Sequence, residues 1–161
     1  MQIPGELANL LNDLGYIWPK SDETKLFELG QHWIDFGSTI DEVAQDADHA
    51  AALAWSSNRG DSIEAFRRYW SADDAPSHSC HAGTTGSIAV GGALIVCAAA
   101  VLALKINVIV QLTILLIEIA EALATAVPTF GASLLEIPVF KKLTDMLINL
   151  LISTAMEVVL G

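Results

Sequence analysis

Basic residues are scarce in this 161-residue chain: eight lysines and arginines stand against 19 aspartates and glutamates, giving a formal net charge of -11 at pH 7. Such a charge repels a phosphate backbone, so nucleic-acid binding is not expected. Two cysteines are too few for a disulfide scaffold. The N-terminus has neither the basic segment nor the apolar segment of a classical signal peptide, and none is expected.

Charge is absent altogether from residues 82–104, and hydrophobic residues make up 53% of the chain against 17% charged residues. This composition excludes intrinsic disorder and favours a deeply buried helical bundle or a membrane segment. Strand-like alternation of apolar and polar residues is also absent. The predicted fold class is therefore all-α: an elongated helical bundle built on a long helix-turn-helix hairpin, with additional apolar C-terminal helices.

The composition along the chain predicts one helical domain of residues 1–161. An amphipathic hairpin part is expected at 4–75. Small residues, polar residues and Pro76 indicate a loop at 76–86. Apolar helices are expected to follow at 87–160 and to pack on the hairpin part.

A seven-residue repeat runs through the predicted long helix, from about residue 22 to 54. Its large apolar residues occupy the a and d positions of a coiled-coil seam, and small residues line one side of that seam. The predicted helix-packing interface is Leu26, Leu29, Gly30, Trp33, Phe36, Gly37, Ile40 and Val43. We expect other helices to bury the large residues, at about 1.5–3 kcal/mol each, so that Trp33→Ala costs several kcal/mol.

A hinge follows the long helix, in the turn-forming stretch from Trp55 to Gly60. Asp61 and Glu64 then form a capping-box pattern at the start of a short helix, to which Phe66 gives an apolar face. Trp55 at the bend is either a docking residue or a plug packed into the end of the bundle.

Several of these motifs together resemble a known family. Leu10–Pro19 with its Gly15-Tyr16-Ile17-Trp18 core, the long helix with Trp33, and then Trp55, Gly60 and Phe66 resemble the N-terminal domain of actinobacterial polymorphic toxins. That domain belongs to the Trp-x-Gly superfamily of type VII secretion substrates and is similar to the N-terminal region of the mycobacterial channel-forming necrotizing toxin. The hinge reads Trp55-Ser56-Ser57, without the family's usual glycine, and Gly60 is expected to take that role.

The resemblance implies a non-catalytic secretion-targeting and delivery module, made in the cytoplasm and then secreted or associated with the cell envelope through a type VII system. Its implied partners are a small helical secretion partner or a second copy, the secretion machinery, and a toxin domain in cis that these residues do not include. Tyr69 and Asp73 match the Tyr-x-x-x-Asp/Glu pattern of type VII signals. The implied secretion-recognition residues are Trp55, Gly60, Phe66, Tyr69 and Asp73.

Two other functions stay open. Residues 87–127 could form a hydrophobic helical hairpin that inserts into a membrane or forms a pore, with Lys105 near its bend. The chain could also be a structural subunit whose apolar surface is covered by self-association.

No constellation for catalysis is visible, since the sequence has no Gly-x-Ser-x-Gly elbow, no glycine-rich phosphate loop and no His-Glu-x-x-His motif. We expect no enzymatic activity and no cofactor. His78-Ser79-Cys80-His81 lacks a second pair of ligands nearby, so a polar loop is favoured over a metal site. Cys97 is expected to be a small buried hydrophobe.

Overall fold

The structure is a computed structural model that describes residues 1–160, and within that range it is all-α, with no strand. The all-α prediction is confirmed. The α-helices are α1 (Gly5–Asp13), α2 (Glu23–Ser57), α3 (Asp61–Trp70), α4 (Pro76–Ala124) and α5 (Ile137–Leu160), and a 3-10 turn (Ala132–Glu136) precedes α5.

The chain divides into two compact units. The central unit is Lys25–Ile95, and the terminal unit combines Met1–Thr24 with the residues from Val96 onward. The central unit therefore holds most of α2, all of α3 and the first part of α4. The terminal unit holds α1, the rest of α4 and α5.

The loop predicted at 76–86 is wrong, because α4 begins at Pro76 and is helical throughout this stretch. Proline is well tolerated in the first turn of a helix, where its missing N–H has no partner to lose. The Thr84 hydroxyl donates to the Cys80 carbonyl at 3.2 Å, so it is satisfied inside the helix. The small residues whose composition indicates a loop include Ser77 and Thr84, and both are buried. Their size serves close helix packing.

Within the central unit, α2 and α4 meet through small residues. A Cβ on Gly30 would lie 2.8 Å from the Gly91 carbonyl oxygen, and one on Gly37 would lie 3.2 Å from the Thr84 carbonyl oxygen. Because contacts move backward along α4 as they move forward along α2, the two helices are antiparallel. The buried residues of α2 in the central unit, spaced every seven positions, are Gly30, Gly37, Ala44 and Ala51.

The prediction that the chain itself buries the large apolar seam is wrong. Leu29, Trp33, Phe36 and Val43 are 47%, 37%, 53% and 61% exposed, and Leu26 and Ile40 are only half-buried. The physical reason is the glycine and alanine stripe beside them: α4 approaches along that stripe to backbone contact, which turns the neighbouring large side chains outward.

The core of the terminal unit is made of large aliphatic residues: Leu7, Leu10, Leu11, Val108, Leu112, Leu115 and Ile148. Tyr16 donates a hydrogen bond of 2.6 Å to the Asp145 carboxylate beside this core. Burial, together with that carboxylate, raises the pKa of Tyr16 to about 12.

Lys105 lies in the middle of α4 and is only 2% exposed. Its Nζ donates to Glu23 Oε2 at 2.6 Å and to the Ser21 carbonyl at 2.5 Å. The hydrogen bonds from Lys105 and the Met1 amino group lower the pKa of Glu23 to about 2. α4 is continuous through Lys105, so the bend predicted there is wrong. The buried Glu23 carboxylate forms an ion pair with the Lys105 ammonium, so Lys105 can lie inside a continuous helix and need not be at a solvent-exposed turn.

Candidate interaction surface

Two features of the central unit could recognise a partner. The first is the α2 stripe, which we define as Leu26, Leu29, Trp33, Phe36, Ile40 and Val43. The second is the hinge cluster, which we define as Trp55, Phe66, Trp70, Asp41, Asp48 and His81.

The α2 stripe contains an ordered aromatic pair. Trp33 and Phe36 lie edge to face, with ring centroids 6.0 Å apart and planes at 82°. Together with Leu29 and His32 they line a shallow depression of about 300 Å³. Edge-to-face pairs are favourable, and aromatic side chains are enriched where proteins bind each other. The α2 stripe is therefore an apolar surface on which Trp33 and Phe36 already pack against each other without a partner.

Acidic residues border the α2 stripe with the same seven-residue period. Glu28, Asp35 and Glu42 are exposed, and each immediately precedes a stripe residue: Leu29, Phe36 and Val43 respectively. A surface built this way complements an apolar ridge flanked by basic side chains.

At the hinge, α2 continues to Ser57, so Trp55 lies in its last turn and the chain reverses only at residues 58–60. Gly60 has φ 126°, in the region that side chains disfavour, directly before α3 begins. A glycine is therefore required at position 60.

Three aromatic rings pack in series across the hinge. Trp55 and Phe66 have centroids 5.8 Å apart, and Phe66 and Trp70 are 5.7 Å apart. Trp55 therefore does pack at the bend, against α3. It also lines a cavity of about 400 Å³ with Asp48, Trp70 and His81, so part of its surface faces open space.

A hydrogen-bond network holds the polar side of the hinge cluster. The Trp70 indole N–H donates to Asp48 at 2.7 Å. The two ring nitrogens of His81 lie 3.0 Å from Asp41 and 3.2 Å from Asp48. Both can donate only when the ring is doubly protonated.

The same network shifts two pKa values in opposite directions. The hydrogen bonds to Asp48 and then Asp41 raise the pKa of His81. The hydrogen bonds from Trp70 and then His81 lower the pKa of Asp48. The cluster therefore favours an imidazolium between two carboxylates.

Sequence reasoning did not single out Asp41, Asp48 or His81 as members of one site. The two aspartates are seven residues apart and therefore share a face of α2, which was a usable signal. The composition around His81 predicts a loop, whereas its position on α4 brings it between the two aspartates.

The remaining predicted recognition residues are at the end of α3. Tyr69, in the last turn, is 59% exposed, and Asp73 is exposed in the turn that follows. Both side chains are open to solvent.

Among residues 1–160, no group of three or more His, Cys, Asp and Glu side chains could hold a metal ion. His78, Cys80 and His81 all lie on α4, and His81 is engaged by two aspartates. Cys80 and Cys97 are free thiols, both half-buried.

The model of the WXG100-like domain family matches residues 4–141, from the start of α1 into α5. The chain belongs to the WXG100-like family. WXG100 proteins are non-enzymatic, secreted helical proteins that typically pair with helical partners and with the type VII machinery. This chain is thus a helical protein related to type VII secretion. Comparisons with curated proteins and with solved structures give no match.

Proposed function

We propose that this WXG100-like chain is the non-catalytic secretion-targeting and delivery module of a type VII-exported polymorphic toxin, and that it works by packing partner helices on the α2 stripe. The supporting observation is the exposure of the large apolar residues of α2 beside a buried stripe of glycine and alanine. An apolar face left open by its own chain marks an interaction site.

The partner that fits this surface is an amphipathic helix. Stripe residues spaced by three and four positions match a helix with the same periodicity, which would insert its own apolar residues between them. Glu28, Asp35 and Glu42 border the stripe, so the partner helix carries basic residues beside its apolar ridge.

We assign recognition by the secretion machinery to the end of the hairpin where α2 meets α3. Trp55 and Phe66 pack together, Gly60 sets the turn, and Tyr69 and Asp73 are exposed on α3 and just after it. A receptor can thus contact a few side chains at one end of the hairpin, and a few contacts often dominate binding.

Partner binding is tested with two matched aromatic substitutions on α2. Phe36 is 53% exposed within the α2 stripe, and Phe27 is 48% exposed on the other side of the buried stripe. Phe36→Asp should abolish copurification with a helical partner captured by the wild-type chain and reduce secretion at least tenfold, while Phe27→Asp should leave both intact. Equal effects of the two variants would remove the stripe from the mechanism.

Hinge recognition is tested by secretion and thermal melting measured on the same variants. Tyr69→Ala combined with Asp73→Ala changes only exposed side chains, so secretion should fall while the melting temperature stays within about 2 °C of wild type. Trp55→Ala should also block secretion. Normal secretion of both variants would exclude the hinge as a recognition site.

A second candidate function is membrane insertion. α4 and the segment Ala132–Leu160 are long and apolar enough to cross a membrane, with only 17% and 11% of their most apolar windows buried. In α4, residues 82–104 are uncharged and span about 34 Å at 1.5 Å per residue, enough for a bilayer core of about 30 Å. A single crossing by residues 82–104 replaces the hairpin at 87–127 as the candidate, because that hairpin would require a bend that α4 lacks.

Membrane insertion is tested by release of dye from liposomes of anionic and neutral lipid. Gly92→Asp places a charge in the uncharged segment where nothing lies within 4 Å of the new Cβ, so folding is preserved and leakage should be lost. Gly5→Asp, likewise in open space, is the control. Absence of leakage from the wild-type protein would rule out this candidate.

A further inference from the structure

α5 has an exposed stripe that its own unit does not use. Its positions follow the alternating three- and four-residue spacing of a coiled-coil seam. We define the α5 stripe as Val139, Leu143, Met146, Leu150, Ser153, Glu157 and Leu160, all of which are exposed.

The opposite side of α5 faces the core of the terminal unit. Thr144 and Ile148 are buried there, and Leu151 and Ile152 pack against the same cluster. α5 therefore already uses one face for the core, and the α5 stripe is a second apolar face with nothing of this chain over it.

The charged residues of α5 argue against a lipid bilayer as the partner that packs on the α5 stripe. The longest uncharged run of α5 is residues 146–156, between Asp145 and Glu157. These 11 residues rise about 16 Å, about half the thickness of a hydrocarbon core. A crossing by Ala132–Leu160, which its length and hydropathy allow, would carry Asp145 into the hydrocarbon core at a high cost. A helix-helix contact leaves Asp145 hydrogen-bonded to Tyr16.

Charge is arranged along α5 with opposite signs at its two ends. Lys141 and Lys142 lie near the start, and Glu157, the one charged member of the α5 stripe, lies near the end. Lys142 and Glu157 are 15 residues apart, about 22 Å along one helix, so they cannot pair within a chain.

An antiparallel second copy brings these charges together. When Met146 faces Leu150 of the other copy, Leu143 faces Ser153 and Lys142 falls three residues, about 4.5 Å along the axis, from Glu157. By two-fold symmetry the pair forms twice. From Val96 to Leu160 there are three basic and five acidic residues, so this segment carries little of the chain's net charge of -11.

We propose that the α5 stripe is a homodimer interface, in which two copies of α5 pack antiparallel with Met146 and Leu150 at the centre and Lys142–Glu157 pairs at both ends. One helix pair is a small interface, so the dimer is a reversible one that forms in the micromolar range.

The decisive test is a charge swap on the full chain, measured by sedimentation over a range of protein concentrations. Lys142→Glu and Glu157→Lys should each raise the dimer dissociation constant about tenfold, because each places like charges together at both ends. The double variant should restore wild-type dimerisation. Within one chain the two sites are too far apart for such a rescue, so it can arise only between copies.

Leu150→Glu should give a monomer at all concentrations, and Val127→Glu, a still more exposed apolar site outside α5, should dimerise normally. Circular dichroism checks that every variant is folded. A wild-type monomer at high concentration, or a double variant no better than the single ones, would overturn the proposal. Vesicle binding that Leu150→Glu abolishes, without any dimer in solution, would assign the stripe to a lipid surface and overturn it as well.

Discussion

The two units bury their helices in different ways. In the central unit, α2 and α4 meet through small residues, with Ile34, Ile88 and Ile95 packed against the glycines, and the fully buried positions hold no large side chain. In the terminal unit, a cluster of leucine, valine and isoleucine side chains forms a core of the ordinary kind, with Leu112 and Leu115 fully buried.

This difference determines which surface is left over. Close packing through small residues uses backbone contact and leaves the large apolar residues of α2 on the outside. A core of large side chains consumes the apolar residues that form it. Both units leave large apolar side chains exposed, on α2 and on α5, but in the central unit the packing itself depends on the absence of side chains at positions such as Gly91.

The terminal core should be the more sensitive to loss of volume. Leu112→Ala should cost about 2–5 kcal/mol and lower the melting temperature by about 5–15 °C, because it leaves a cavity among fully buried side chains. Ile114→Ala, on the exposed side of the same helix, should change the melting temperature by no more than about 2 °C. Comparable losses in the two variants would show that the core does not lie where the structure has it.

The central unit should be sensitive to added volume. A Cβ on Gly91 would lie 2.6 Å from the Gly30 carbonyl oxygen, and one on Gly92 would meet nothing within 4 Å. Gly91→Ala should therefore cost about 1–2 kcal/mol net, since overpacking outweighs the helix propensity gained. Gly92→Ala should stabilise by up to about 1 kcal/mol. Thermal denaturation of the pair checks this, and stabilisation by both would contradict backbone contact between α2 and α4.

The hinge cluster adds a pH dependence to the central unit. Because the pKa of His81 is raised on folding, its contribution to stability is full below the unfolded value of about 6.5 and is lost as the pH rises through the folded pKa. The lowered pKa of Asp48 adds stability that is present above about pH 4 and lost as the pH falls through its folded value.

NMR titration of the His81 ring should give a pKa above 6.5 that falls toward that value in Asp48→Asn. Asp46→Asn, an exposed neighbour on α2, serves as the control and should leave the His81 titration unchanged. An equal response to the two substitutions would argue for a general charge effect, without a specific pairing of His81 and Asp48.

The smallest expected effect on stability concerns the α2 stripe. The sequence pattern alone predicts a loss of several kcal/mol for Trp33→Ala. Because the structure leaves Trp33 37% exposed with Phe36 as its ring partner, about 1 kcal/mol or less is expected, as for a surface aromatic pair. Chemical denaturation measures this change in the free energy of unfolding, and a loss above about 3 kcal/mol would instead support burial of Trp33.

The sequence carried enough information to predict the helices, because helical periodicity is local. The repeat from Leu26 to Val43, the turn before α3 and the absence of strands are all readable from the spacing of apolar residues and from Gly60. The WXG100-like resemblance was also readable, since it depends on the order of a few aromatic and glycine residues. The α4 start was missed because small polar residues at 76–86 are typical both of loops and of closely packed helices.

What the sequence by itself determined is therefore the periodicity: α2 has a large apolar stripe and a small one, side by side. Which of the two is buried was decided by the tertiary structure, because α4 presents Gly91, Ser87 and Thr84 to Gly30 and Gly37 and so brings the two backbones together. The same holds for Lys105, whose place inside α4 depends on Glu23, 82 residues away along the chain. Burial depends on which partner occupies each face, and that partner is set by contacts between distant residues that no local pattern contains.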